Sequence, residues 1–485
     1  MNNFTKTLKG LSSQTFVTII MGILELIVFS LMSRLLTRSE FGMYAILQSV
    51  IMIFRCLSEA GLGAAIIQKK ETTFKFIDTA FTLSIGFGLL FTIIFLCLAK
   101  PVVCFYANSD LFVPFCLIAA SVIPYSLNSI FRSLIIKRLE FLKHGTIQII
   151  SYIFSNMVGI FLAYYSYGVY ALVISNMLYI VSQTILLWIN SKNKPHLAFS
   201  IIDSKMILSY GCWLTFTRFL TQLYAQIDKL LIAKLLSVYS LGVFYRIRGL
   251  IDAIDSQIGG VFDTTLFPIL SDIQDRKDVI QRAFLKSTYF TGIFFSLLFL
   301  TFLFNSRLII VLFLGEQWLD QISIFQILSC SMFIYFLNRL DDCFIRSMAY
   351  LKFAFRLKIL SILLLVISIY VMSKYGCEGI AIAICMTNLI VCLIKTIYIC
   401  KKININFIKL IINLSYSFRY SLPIISFGIV YYSIFQQNMI NDVVFAILFA
   451  MLCVIIFVLF PSLVGDQYKE LIYIKFKNKL LNYGK

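Results

Sequence analysis

Charge is scarce in this chain. Only 13% of its 485 residues are charged, where about a quarter is usual for a soluble domain. Histidine is nearly missing, with two residues, His144 and His196, both expected in connecting loops. That excludes a histidine-based catalytic or metal centre. The 12 cysteines form no CxxC pair, so neither a disulfide framework nor a zinc site is indicated; they read as small apolar residues within helices. No GxxxxGK[ST] phosphate loop is present, which excludes ATP hydrolysis by that route. No connection is long enough to carry an extramembrane domain, so a glycosyl-transfer site with paired carboxylates on a large loop is excluded too. The first apolar stretch follows Lys6 and Lys9, continues to Leu36 and carries Glu25. It is too long for the core of a cleaved signal and reads as a retained helix.

What is present is apolar sequence: 60% of residues are hydrophobic and mean hydropathy is +0.91. Runs near 20 residues recur along the whole length, each able to cross a hydrocarbon core of about 30 Å. The reading is an all-α, polytopic membrane protein with about 14 transmembrane helices. The expected spans are 11–36, 41–67, 77–99, 111–136, 142–166, 168–190, 207–234, 239–269, 287–314, 320–345, 353–373, 377–400, 417–436 and 443–463.

Net charge is +19. On a soluble protein this would suggest nucleic acid, but its distribution points elsewhere, and no nucleic-acid partner is expected. With the N-terminus in the cytoplasm, roughly 28 lysines and arginines fall on inside segments and roughly seven on outside ones. This alternation sets a topology with both termini cytoplasmic, and the basic loops need no role beyond that and contact with anionic lipid headgroups.

An internal repeat pairs residues 31–42 with 231–242. Arg34 matches Lys234, Leu35 and Leu36 match Leu235 and Leu236, and Gly42 matches Gly242. A weaker echo pairs Phe141-Leu142-Lys143 with Tyr350-Leu351-Lys352. Six helices separate the repeats, so both halves share one orientation. Two six-helix lobes follow, over 1–205 and 206–402, with two further helices and a basic tail in 403–485.

Seven arginines lie inside apolar segments: Arg55, Arg132, Arg218, Arg246, Arg248, Arg339 and Arg419. Each costs about 2.5–3.5 kcal/mol at a bilayer centre unless it faces protein, water or an anion. The acids Glu25, Glu59, Asp228, Asp252, Asp255, Asp263, Asp341 and Asp342 accompany them. Helical spacing collects the polar residues into stripes. Gln48, Arg55 and Glu59 share a face of the second helix; Arg218, Gln222, Gln226 and Lys229 one of the seventh; Arg248, Asp252, Asp255 and Gly259 one of the eighth; Thr18, Gly22 and Glu25 one of the first. These are the first two helices of each lobe, as a polar cavity between lobes would require. The plain alternative is packing: Arg55–Glu59 and Arg248–Asp252 have the spacing of intrahelical pairs. Asp228 and Arg419 sit near helix ends, where snorkelling is easy, and the position of Arg132 decides nothing.

Several segments carry a family resemblance. Leu35 through Tyr44 resembles the join between the first two helices of polysaccharide flippases, and Glu59-Ala60-Gly61-Leu62-Gly63 the end of their second helix. Asp228 to Ile232 followed by Leu241 to Tyr245 is similar to their seventh-to-eighth junction; Phe267 to Ser271 and Leu314 to Trp318 also fit. The chain resembles the Wzx-type O-unit and capsule flippases of the MOP superfamily, related to MATE exporters and the lipid II flippase. The resemblance implies a bacterial cytoplasmic-membrane transporter working by alternating access on oligosaccharides linked to undecaprenyl pyrophosphate, with a glycan polymerase and chain-length proteins as further partners. It implies a cationic lining, which Arg55, Arg218, Arg246 and Arg248, with Gln222 toward sugar, would supply; the acids beside them depart from that pattern. No cofactor is expected beyond a proton or sodium ion, for which Glu25, Glu59, Asp228, Asp252 and Asp255 are the candidates. The rivals are a MATE-like exporter of cationic drugs, a membrane-embedded glycan polymerase or ligase, and a scaffold without transport of its own.

Overall fold

A computed structural model describes residues 3–69, 72–191, 194–261, 266–435 and 438–459, with side chains left out at 3–14, 210, 213–214, 254–261 and 457–459. The described residues form helices joined by short turns. The first unit is built from α1 (Asn3–Leu35), α2 (Arg38–Glu59), α3 (Leu62–Gln68), α4 (Phe74–Cys97), α5 (Ala99–Tyr106), α6 (Phe112–Ala119), α7 (Val122–Lys137), α8 (Phe141–Tyr164), α9 (Val169–Ile189), α10 (Ile201–Leu235) and the start of α11 (Val238–Val261). The second continues α11 and adds α12 (Phe267–Asp272), α13 (Lys277–Phe304), α14 (Ser306–Phe313), α15 (Ile322–Ser347), α16 (Leu351–Met372), α17 (Gly376–Lys402), α18 (Phe407–Tyr416), α19 (Ser421–Ile434) and α20 (Met439–Leu459).

Each of the fourteen apolar segments contains a helix. Several are broken: the second at Ala60 and Gly61, both left-handed (φ 46° and 66°), and the fourth between α6 and α7. Among the described residues, ten stretches are long and apolar enough to cross a membrane. The outer surface agrees with that reading. Ile19, Ile23, Ile27, Leu31 and Leu35 form an exposed row on α1, spaced by four residues, so a greasy stripe faces outward. Ser49, Ser58, Ser126, Asn128, Arg55 and Arg246 are buried. An apolar exterior over a polar interior suits hydrocarbon as solvent. The chain is a multi-pass membrane protein.

The contacts divide the chain into compact units Met1–Arg246 and Ile247–Lys485, with α10 in the first. The physical reason is that α10 packs along α2, α3 and α4. Likewise α18 and α19 pack on α13 within the second unit, although they follow residue 402. There the ring of Phe295 stacks on Phe336 at 3.6 Å, and Phe284 meets Phe344 edge-on at 4.8 Å. The basic tail from residue 460 onward lies outside the described residues.

The repeat is visible as geometry. α1 ends at Leu35 and α10 at Leu235; α2 begins at Arg38 and α11 at Val238. Thr37 Oγ1 accepts from the Glu40 amide at 3.4 Å, and Ser237 Oγ from the Ser240 amide at 3.0 Å, equivalent N-caps that each satisfy an orphan donor. Glu40 completes a capping box through the Thr37 amide at 2.7 Å. The two segments also touch each other reciprocally. A Cβ on Gly42 would overlap the carbonyl of Val238, and one on Gly242 the carbonyl of Arg38. Only glycine lets the backbones meet so closely. Beside them Arg38 donates to the Tyr239 hydroxyl at 2.6 Å.

The weaker echo shifts by one residue. Leu139 and Ala349 are both left-handed (φ 61° and 57°). The Glu140 amide reaches the Ile135 carbonyl, as the Tyr350 amide reaches Ile345. One turn thus recurs, pairing Phe141 with Leu351; the sequence alignment follows the leucine instead. His144 was expected in a loop. It lies in the first turn of α8, buried, with Nε2 unpartnered.

Candidate functional site

The arginines that sequence alone groups together separate into two kinds. Arg55 is 2% exposed. Its guanidinium donates to Ser121 Oγ at 2.9 Å and Asn176 Oδ1 at 2.6 Å and lies 5.2 Å from the ring centre of Tyr125. Arg246 is buried as well: Nε donates to Ser33 Oγ at 2.6 Å, a terminal nitrogen donates to the Phe29 carbonyl, and the planar group sits 3.5 Å over the Phe29 ring and 4.4 Å over Phe41. Both cations are met by neutral acceptors and aromatic faces, although the buried Arg55 Nε has no hydrogen-bond partner. They tie helices together inside the first unit, and neither is among the residues that line the cavity described next.

Arg218 is different. It stands on α10 beside a cavity of about 380 Å³ within the first unit. α2 contributes Met52, Cys56 and Glu59; α7 contributes Tyr125 and Arg132; α10 contributes Thr217, Arg218, Thr221 and Gln222. Arg218 pairs with Glu59 Oε2 at 3.2 Å, with the arginine side chain 48% exposed and the glutamate 17%. An ion pair that open to solvent contributes only about 0–1 kcal/mol. Arg132 is exposed and makes no hydrogen bond or ion pair among the described residues, and it lines the same cavity as Glu59. Two guanidinium groups, one carboxylate and several hydroxyl and amide groups therefore converge on one space. Such a lining suits an anion carrying hydroxyl-rich groups.

Arg132 is the residue that sequence reasoning undervalued. The available signal was its spacing from Tyr125, seven residues along α7, which puts both on one face. Conversely, Arg55 and Glu59 share a sequence stripe yet part company. α2 is packed against α7 and α9 as well as α10, so a turn of helix suffices to change neighbours.

The remaining candidates are dispersed. Arg248 pairs with Asp252 at 3.6 Å along α11, with side chains 25% and 54% exposed. Asp228 is buried near the end of α10, where its Oδ1 accepts from the Lys229 amide at 2.8 Å. Glu25 is half-buried on α1. Tyr152 and Tyr179 meet edge-on at 5.9 Å. The side chain of Asp255 and all of Asp263 lie outside the described residues. Among those residues no cluster of three or more metal-binding side chains occurs.

Solved structures share this fold. The lipid II flippase MurJ in an inward closed conformation superposes with a TM-score of 0.74 at 16% identity, covering 95% of this chain and 99% of that one. An inward-facing MATE-family multidrug resistance transporter of the MOP superfamily gives 0.61 at 13% identity, covering 80% and 98%. The fold of this chain is thus the one these solved structures share.

The sequence is more specific: the chain belongs to the polysaccharide biosynthesis protein family, which matches residues 31–323. The teichuronic acid biosynthesis protein TuaB of Bacillus subtilis (strain 168) is 24% identical over 333 residues, 68% of this chain and 69% of that protein. The lipopolysaccharide biosynthesis protein WzxC of Escherichia coli (strain K12) is 24% identical over 327 residues, 67% of this chain and 66% of that protein. The chain thus spans about two thirds of these relatives.

Proposed function

We propose that this chain moves oligosaccharide units on undecaprenyl pyrophosphate from the inner to the outer leaflet of a bacterial cytoplasmic membrane by alternating access. The observation that carries the reading is the cavity where Arg218 and Arg132 meet Glu59. With both termini cytoplasmic, α2 and α7 end on the cytoplasmic side and α10 begins there, so the cavity lies in the half of the membrane where a newly made lipid-linked unit arrives. The guanidinium groups would hold the diphosphate by charge-assisted hydrogen bonds. Gln222, Thr217, Thr221 and the Tyr125 hydroxyl would meet sugar. The prenyl tail would stay in lipid. An excess of guanidinium over carboxylate disfavours the cationic substrates of a drug exporter.

Moving negative charge outward is favoured by about 2.3 kcal/mol per charge for each 100 mV, inside negative. Glu25, Asp228, Asp252 and Asp255 stay candidates for a proton or sodium ion on the return step, and Arg248 for a contact in the second unit. A glycan polymerase and chain-length proteins are proposed partners downstream.

The test is complementation of a strain lacking the gene. Arg218→Ala and Arg132→Ala should each remove surface glycan while membrane protein level and thermal stability hold. Normal glycan export by both variants would refute the assignment.

A further inference from the structure

The diphosphate-binding reading leaves Glu59 unexplained. A cavity meant only to attract an anion has no use for a carboxylate, yet one stands at its wall, 3.2 Å from the Arg218 guanidinium. It occupies one arginine and leaves the other open: Arg132 has no hydrogen-bond or ion-pair partner among the described residues. A pyrophosphate diester carries one negative charge per phosphate, so it matches two guanidinium groups. With Glu59 ionised, the cavity offers one uncompensated cation. Once Glu59 gives up Arg218, the donors of both guanidinium groups are free for a ligand. The pair is also built to part, since the arginine is half in solvent and the contact is a single nitrogen to a single oxygen. Arg55 and Arg246 show how this chain fixes an arginine more firmly: each is buried, with more than one acceptor and an aromatic face beside it.

We propose that Glu59 is a resident counter-ion, a carboxylate that holds the place of the phosphate on Arg218 and yields it when a diphosphate docks against Arg132 and Arg218 together. The proposal rests on the diphosphate reading of this cavity and adds its regulation. The empty site is kept near charge balance, so a single phosphate or carboxylate meets a competitor, whereas a diphosphate engages both arginines and displaces it. Glu59 is a positioning residue here: it acts on the ligand through Arg218.

The test is calorimetric titration of the full chain in lipid nanodiscs with inorganic pyrophosphate and, in parallel, with orthophosphate. Glu59→Gln keeps the shape and removes the charge; it should bind pyrophosphate about tenfold more tightly than the parent, the scale of one charge-assisted hydrogen bond, and should lose much of the parent's preference over orthophosphate. Glu59→Asp restores a carboxylate and should return affinity toward the parent, an effect that a purely structural role would not produce. An Arg132→Gln/Arg218→Gln double variant should bind neither ion. If pyrophosphate binds and the double variant abolishes binding, but Glu59→Gln binds no more tightly than the parent, the counter-ion is overturned and the anion site stands. If pyrophosphate binds no variant, or binds the double variant as well as the parent, the anion site fails and the counter-ion with it. Thermal unfolding of each variant without ligand separates a misfolded sample from either outcome.

Discussion

An arginine in a greasy helix has to put its charge somewhere, and this chain shows two solutions within one unit. Arg55 and Arg246 spend their donors on serine, asparagine and a backbone carbonyl. Arg218 and Arg132 face open space. The sequence makes these residues look alike, because it reports that a charge is buried in a run of apolar residues and not what accepts its hydrogen bonds. Ser121 and Asn176 lie 66 and 121 positions from Arg55, beyond any periodicity argument. The difference sets contrasting outcomes for one substitution. Arg55→Ala should lower the thermal stability of the purified protein, by about 1.5–3 kcal/mol for each charge-assisted hydrogen bond lost, and reduce its level in membranes. Arg218→Ala should leave the melting temperature within a degree or two of the parent, because an exposed pair contributes ~1 kcal/mol at most. Equal melting losses in the two variants would contradict the division drawn here.

Between residue and molecule stand the helices, and here the sequence was most informative. All fourteen apolar segments hold helices, because a hydrocarbon solvent obliges every backbone group to bond within its own segment. The repeat around positions 35 and 235 coincides with equivalent helix ends and equivalent N-caps. Its breaks were not legible: the turn at Ala60 and Gly61, and the one-residue shift of the second echo, depend on backbone angles that the letters do not carry. The crossing of α2 and α11 gives the sharpest expectation at this scale. Gly42→Ala or Gly242→Ala would push a methyl group into a facing carbonyl, and backbone cannot rotate away as a side chain can. Overpacking of this kind costs about 1–3 kcal/mol, occasionally more. Detergent-solubilised variants should melt lower and elute less often as a single species. Gly86→Ala, where an added methyl meets open space, should melt like the parent.

At the scale of the whole chain, fold outlasts sequence. A TM-score of 0.74 accompanies 16% identity, since a bundle of helices in lipid asks mainly for apolar length, charge on the correct loops and small residues where backbones cross. Charge placement yields a topological expectation: an alkaline phosphatase fused after residue 459 should be inactive and a fluorescent protein there should glow, as both termini in the cytoplasm require. The reverse pattern would invert the orientation. Composition could say that the interior was polar; only the arrangement of α2, α7 and α10 says which few side chains share one space.

The glycine contact between α2 and α11 constrains motion as well as packing. With no side chain between the two backbones there is no padding to compress, so these helix ends can swivel about that spot but cannot slip along each other. A shift by a single position would drive Phe41 or Met43, or on the other side Leu241 or Val243, into a gap that admits only hydrogen. In any movement of these two helices, this junction can take part only as a fixed-register pivot.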